Sequence, residues 1–366
     1  MTILTDRSRI EAYQHCPRHR YWEYEYKGRG IVAAGGMSTA LMIGSLVHGG
    51  LKQMWMGGSY QLDSGTLPPL APDATPYQHT RREELMALVE GILEAWRLVR
   101  LPVLLDQYQV LDVEREEEPY DIGAGVSIMV RTDAVLRRKD DGMLFVWNAK
   151  TTKVADSRWI EQWKYDQQTL SEVLPVEKRY GEKCGGVLIE GMLKGMELEY
   201  PKGSGEWYYN SPLVWAWHNE SGKDHPLGEW SARYEWTDLD GQHRLGKGWR
   251  KVPVWRAYPG GTRAWIAYLL ARDPSALREQ FIVLDPILRA DREEEVERWK
   301  RETRIKEADC YYSRPEDFYM HTGHGNCIRP SRCSYLPLCW EGADPEGELY
   351  TIRVPNHRTE VENEGI

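Results

Sequence analysis

A chain of 366 residues, 28% charged and 41% hydrophobic, has the composition of an ordinary folded protein with a substantial core. Its formal net charge of -9 excludes a general basic coat for nucleic acid, since phosphate neutralisation supplies most non-specific affinity. Any such contact must be a local basic channel, for which Arg18, Arg20, Lys27 and Arg29 are candidates; the sequence has no apolar run long enough to span a membrane, and its first residues lack the apolar core of a secretory signal, so a cytoplasmic location is expected.

Residues 8–26 carry helical spacing through Ile10, Tyr13, Tyr21, Trp22 and Tyr24, with Pro17 placed to open a second helix. After a glycine-rich loop over 28–37, helical spacing returns over 40–56 through Leu41, Ile43, Leu46, Val47 and Leu51. Residues 57–80 read as an exposed loop and 81–101 as an amphipathic helix. Strands are expected over 108–114, 126–136 and 143–151, the last opened by the turn signal Lys139-Asp140-Asp141-Gly142. A helix over 159–174 and a buried strand over 185–193 follow. This order predicts an α/β fold, a central mixed sheet flanked by helices. Residues 200–260, rich in Trp, Tyr, Gly and Pro, read as a β-rich insertion. Helices are expected over 265–271 and 285–308. The resulting division is a core over 1–199, the insertion over 200–260, C-terminal helices and a cysteine-rich loop over 261–345, and a flexible tail over 346–366. With 16 Trp and 21 Tyr against 3 Phe, the aromatic side chains are flat groups with a polar handle, suited first to half-wet packing and second to stacking on bases.

Asp133 falls within one expected strand and Lys150 near the end of the next, in Phe145-Val-Trp-Asn-Ala-Lys150. Hairpin-paired strands bring such side chains to one side of a sheet. Metal-dependent phosphodiester cleavage needs acids to hold a hard cation and a lysine to meet the phosphate or water. By itself this pair reads first as a surface pair, and His48, on an otherwise apolar helix, first as a core histidine.

Taken together, the motifs resemble those of a known family. Ser8-x-Ile10-x-x-Tyr13-x-x-Cys16-Pro17-Arg18 resembles the N-terminal helix of RecB-like nucleases of the PD-(D/E)XK superfamily. Gly44-x-x-x-His48 resembles their histidine motif, Asp133 with the strand ending in Lys150 their central hairpin, and Gln168, ahead of Gln167, their following glutamine. The resemblance implies a restriction-endonuclease-like core and a Mg- or Mn-dependent DNA exonuclease acting on single strands or duplex ends in recombination, repair or phage metabolism. It implies His48, Asp133 and the residue at 148 as metal ligands, Lys150 at the phosphate or water, and Gln168 as a positioning group, with Arg18 and Arg20 meeting nucleic acid. A helicase or recombination partner is an implied associate; the sequence has no Gly-x-x-x-x-Gly-Lys-Ser/Thr loop of its own.

At 148 the family pattern expects Glu or Asp, and this chain has Asn148, whose carbonyl oxygen offers a ligand without charge. Three readings stand: a weakened or inactive nuclease that still grips DNA, a migrated acid with Glu161 as the candidate, or an introduced change.

In a cytosolic protein, paired cysteines are more often metal ligands than disulfides. Cys327-x5-Cys333-x5-Cys339 is a compact group that needs a fourth ligand for tetrahedral zinc or an iron–sulfur cluster. Cys310, His321 and His324 are possible fourth ligands, while Cys184 reads as a small core residue. The resemblance extends to AddB-type nucleases and CRISPR-adaptation exonucleases, and implies that Cys16, Cys327, Cys333 and Cys339 hold a 4Fe-4S cluster pinning the termini, with zinc as the alternative. Their first C-terminal gap is usually shorter than the one here.

Overall fold

The structure is a computed structural model that describes residues 2–34, 38–63, 65, 67, 69–199, 203–220, 228–233, 248–287, 293–320, 327–328, 332–355 and 357. His321 and His324 lie outside the described residues.

A five-stranded mixed sheet organises the chain. Strands β1 (Tyr108–Glu116), β2 (Arg131–Arg138) and β3 (Leu144–Thr152) form an antiparallel meander. Strand β4 (Cys184–Leu193) runs parallel to β3, and β5 (Phe281–Val283) pairs antiparallel with β4. The β2–β3 turn needs Gly142, whose φ of 74° lies in the left-handed region, and the Met143 N–H donates to Asp141 Oδ1 at 3.0 Å.

Helices cover both faces. Residues Ala134, Leu136, Phe145, Trp147 and Ala149 alternate onto a core shared with helices α1 (Thr39–Trp55) and α2 (Pro76–Val99). Trp147 meets Trp55 at 5.2 Å and Trp96 at 5.8 Å between ring centroids, so part of the aromatic bias goes into packing. Val135, Leu144 and Val146 alternate onto the other face, against Val173 and Val176 of α3 (Gln167–Tyr180). The sheet is therefore the middle of three layers.

Local chemistry explains where the elements depart from expectation. Helix α2 starts at Pro76, ahead of the expected 81, because Thr75 and Gln78 form a reciprocal capping box. The helix expected over 159–174 is two, Ser157–Gln162 and α3, since the Asp166 side chain accepts from Gln168 N at 2.8 Å and starts a new helix. The strand expected over 126–136 also divides: Val126–Ile128 pairs in parallel with Ile3–Thr5, and β2 begins afresh at Arg131. The long charged helix, α4 (Glu293–Tyr312), starts later than the expected 285, and Ile287 instead bridges Val187.

A hairpin joins Met196–Glu199, ahead of the expected insertion, to Trp207–Asn210 inside it, and a three-stranded sheet within 200–260 joins Glu229–Ser231, Trp215–Asn219 and Trp249–Pro253. Tyr209, Leu213, Val214 and Ala216 enter the same core as α1 and α2. Within the segment expected to be a flexible tail, Tyr350–Ile352 pairs with Ile31–Ala33. Among the described residues no helix is long and apolar enough to cross a membrane.

Candidate metal centre and cleft

The cleft arises where the sheet divides. Strands β2 and β3 stay paired as far as Ala134 and Trp147, whereas β3 remains paired with β4 out to Thr152. Beyond that point the Ala149 N–H, freed from β2, donates instead to Asp133 Oδ2 at 2.9 Å. The split opens a cavity of about 760 Å³ lined by His48, Glu114, Asp133, Lys150, Gln168 and Glu172, among others.

Helix α1 delivers His48 from above. Its N-cap is Ser38, whose hydroxyl accepts from Leu41 N at 3.3 Å, and its buried stripe of Ile43, Leu46, Val47 and Leu51 fixes it on the sheet. One turn before His48, Gly44 also lines the cleft, and a Cβ there would meet Thr151 Oγ1 at 3.6 Å. His48 Nδ1 lies 3.2 Å from Asp133 Oδ1 and 3.7 Å from Glu114 Oε1. Glu114 takes φ of 47°, a left-handed conformation uncommon in a strand, next to the register shift between Val110 and Asp112.

Each of the three offers a ligand atom, and these atoms lie within 4.8 Å of one another. One imidazole nitrogen and two carboxylates suit a hard divalent cation. Asn148 Oδ1 is buried and makes no hydrogen bond with the described residues. Burial works against a charged His48, yet Asp133 and Glu114 push its pKa up to about 10. Burial likewise opposes the Asp133 charge, but His48, Lys150 and the Ala149 N–H hold its carboxyl below the ordinary value.

Opposite the trio, Asn148 Nδ2 lies 2.9 Å from both carboxylate oxygens of Glu172, which also accepts from Gln168 Nε2. Gln168 Oε1 in turn accepts from Arg7, whose other nitrogen meets Asp166 Oδ2 at 3.1 Å. Burial raises the Glu172 carboxyl to about 7 despite the nearby Lys150. Lys150 Nζ stands 5.6 Å from the Trp163 ring and makes no hydrogen bond or ion pair with the described residues.

Among the expected site residues, His48, Asp133, Asn148, Lys150 and Gln168 come together. Glu161 does not: it is exposed and outside the cleft, and the acid that meets Asn148 is Glu172. Glu172 lies one helical turn after Gln168 on the same face, a spacing that could have revealed it. Glu114 left no comparable signal, because its backbone conformation directs it.

The expected basic channel needs correction. Arg20 is 2% exposed, bidentate to buried Glu307 and bonded to Glu25 at 2.7 Å, so it has no surface to give a phosphate. Arg18 lies over the Tyr21 and Trp22 rings and donates to the Pro315 carbonyl at 2.6 Å, and Lys27 pairs with Glu346. The cations that line the cleft are Arg7, Lys52, Arg131, Lys150 and Lys194.

Cys333 and Cys339 pack beside Trp22 and Tyr335, and the Cys333 N–H donates to the Cys327 carbonyl at 2.8 Å. His19 Nδ1 is 3.6 Å from Cys333 Sγ, which places a histidine next to the thiols that the sequence did not single out. Burial raises the Cys339 thiol, and Cys333 and Cys16 add to that rise. Among the described residues no three thiols gather within the 4.8 Å spacing of the cleft trio. Cys184 sits in the core against Val146 and Val187, and Cys310 is buried near Arg20 and Glu307.

No curated protein matches this chain. Residues 7–188 match the model of the PD-(D/E)XK nuclease superfamily. That segment holds β1 to β3, most of the cleft and the metal trio, so the mixed α/β fold and the sequence match coincide on the residues that build the site, consistent with a restriction-endonuclease-like PD-(D/E)XK fold.

Proposed function

We propose that the protein is a metal-dependent DNA exonuclease of the RecB-like type, cutting single strands or duplex ends in recombination, repair or phage DNA metabolism. The observation that carries the reading is the gathering of His48, Glu114 and Asp133 beside a lysine that makes no ion pair among the described residues. His48, Glu114, Asp133 and the Asn148 carbonyl would hold Mg or Mn. When bound, such an ion polarises a phosphoryl oxygen and acidifies water. Lys150 sets its ammonium against the negative charge that grows on the phosphate oxygens as the bond to water forms. Glu172 and Gln168 act as positioning residues: Glu172 holds the Asn148 amide, and Gln168 ties Glu172 to Arg7. Incubating the protein with end-labelled DNA and Mn²⁺, beside Lys150→Ala, tests the reading. The variant should lose roughly 10²- to 10³-fold in cleavage rate, and equal degradation by both proteins sinks the assignment.

Cys16, Cys327, Cys333 and Cys339 hold a 4Fe-4S cluster in this reading, with zinc as the alternative. Support comes from the packing of Cys333 and Cys339 against the Cys16-bearing terminal segment. The purified protein should be brown, with absorbance near about 400 nm and about four irons per chain. Colourless protein holding zinc would remove the cluster.

A second reading, a nuclease fold that binds DNA without cutting, rests on Asn148. If Asn148→Glu cuts DNA and the present sequence does not, the second reading stands.

A further inference from the structure

The inserted sheet carries a pocket of its own, a cavity of about 370 Å³. Its wall includes Tyr208, Asn210, Trp215, Trp217, Arg233 and Lys251. Trp217 and Lys251 are cross-strand partners. The Lys251 ammonium lies 4.6 Å from the Tyr208 ring and 5.9 Å from the Trp215 ring. Trp215 is fixed edge-on, its Nε1 donating to Glu84 Oε1 at 2.9 Å and its ring meeting Tyr208 and Trp255 at 5.1 and 5.4 Å.

The two cations of the pocket differ. Arg233 is held by Asp273 at 2.9 Å and Glu279 at 3.0 Å. Lys251 has neutral partners, the Tyr208 hydroxyl at 3.2 Å and Asn210 Oδ1, and pairs with no carboxylate among the described residues. Burial lowers its pKa to about 8, so near neutrality most of this lysine still carries its charge.

The pocket is the neighbour of the cleft. Lys194 lines the cleft, and the next residue, Gly195, lies so close to the insertion that a Cβ there would stand 2.5 Å from the Asn210 carbonyl. Asn210 and Gln280 line the pocket, and the Gln280 carbonyl accepts the N–H of Leu193 at 2.8 Å. One turn of chain thus separates the two cavities. Flat rings fixed in place beside a cation lacking a carboxylate partner are the chemistry that holds an unpaired base and its phosphate, because every base has a π-face to stack.

We propose that this pocket receives an unpaired nucleobase of the DNA strand that enters the cleft, making single-stranded or frayed-end DNA the substrate class. The proposal rests on the cleft as the cutting site, but its test requires no cutting. Binding of labelled twenty-nucleotide oligothymidine and of a blunt duplex is measured for the full chain with chelator present. Trp217→Ala should weaken oligothymidine about tenfold and leave the duplex unchanged, while Trp217→Phe restores the single-strand affinity. Lys251→Gln should lower the salt slope of single-strand binding by about 0.7. The proposal is overturned if Trp217→Ala binds oligothymidine as the unmodified protein does, if Trp217→Phe fails to restore binding, if duplex and single strand weaken together, if the Lys251→Gln slope is unchanged, or if the unmodified protein does not hold oligothymidine. A protein that binds as expected but does not degrade DNA with Mn²⁺ would keep the pocket and lose the nuclease.

Discussion

Arg20 and Lys150 are both cations expected from the sequence to meet a nucleic-acid substrate, and the fold uses them in opposite ways. Arg20 is buried and answered by Glu307 and Glu25, so its charge is spent inside the protein. Lys150 stands in an open cleft, and its charge is met by no carboxylate within ion-pair reach among the described residues. A buried pair fixes structure; a cation left without a partner beside carboxylates that can hold metal is available for chemistry. Charge read along a sequence gives no warning of which of these it will become.

The largest effect that separates the two regions concerns stability. Arg20→Ala leaves Glu307, 1% exposed, without its partner and should cost about 3–5 kcal/mol in denaturant unfolding. Lys150→Ala should cost no more than about 0.5 kcal/mol in the same measurement. Comparable losses would erase the distinction. Replacing the Arg20–Glu307 pair together by Met and Leu should recover most of the loss, since a packed apolar pair serves as well as a buried ion pair.

A second experiment probes the cleft. Glu114→Gln keeps the shape and removes one charge from the trio, so half-maximal cleavage should need about tenfold more Mn²⁺. An unchanged requirement would take Glu114 out of the metal set.

The smallest effect is a pH dependence of metal-free stability. The Glu172 carboxyl rises from 4.5 to about 7 in the fold, so it stabilises the protonated form. Its stabilising contribution is whole below about pH 4.5 and is lost as pH rises through about 7. Glu172→Gln removes that loss. With chelator present, the melting temperature of the variant relative to the parent should improve by about 2 °C or more between pH 4.5 and 8. A difference that stays flat would show that Glu172 ionises freely.

Much of the cleft was legible because strand alternation and helical spacing are local rules. Asp133 and Lys150 fell on adjacent strands, His48 one turn from Gly44, and Gln168 at the start of the next helix. What escaped depends on distant partners. Glu161 looked suitable by its position after Lys150, yet the short helix that carries it ends before the chain turns back over the sheet. Glu172, from the helix that does turn back, meets Asn148. Glu114 required a left-handed strand residue that no composition rule anticipates. The basic channel was misplaced because a cluster of arginines in sequence says nothing of the acids folded against it. The mixed sheet was accessible from the meander and the helix and strand that follow it, whereas the partner of Ile31–Ala33 was not, since it lies more than 300 residues further along the chain.

That last pairing sets an order of events during synthesis. Tyr335 donates to the Ile31 carbonyl at 2.6 Å across 304 positions, and Tyr350–Ile352 completes the ribbon. At ribosomal speeds of about 5–20 residues per second, Ile31 waits roughly 15–60 s for its partner to be made. Before that interval ends, strands β1 to β4 and the metal trio can already assemble, while the aromatic residues around Trp22 remain uncovered. A segment translated before the sheet is therefore finished after it, and it is the stretch of the nascent chain most in need of protection.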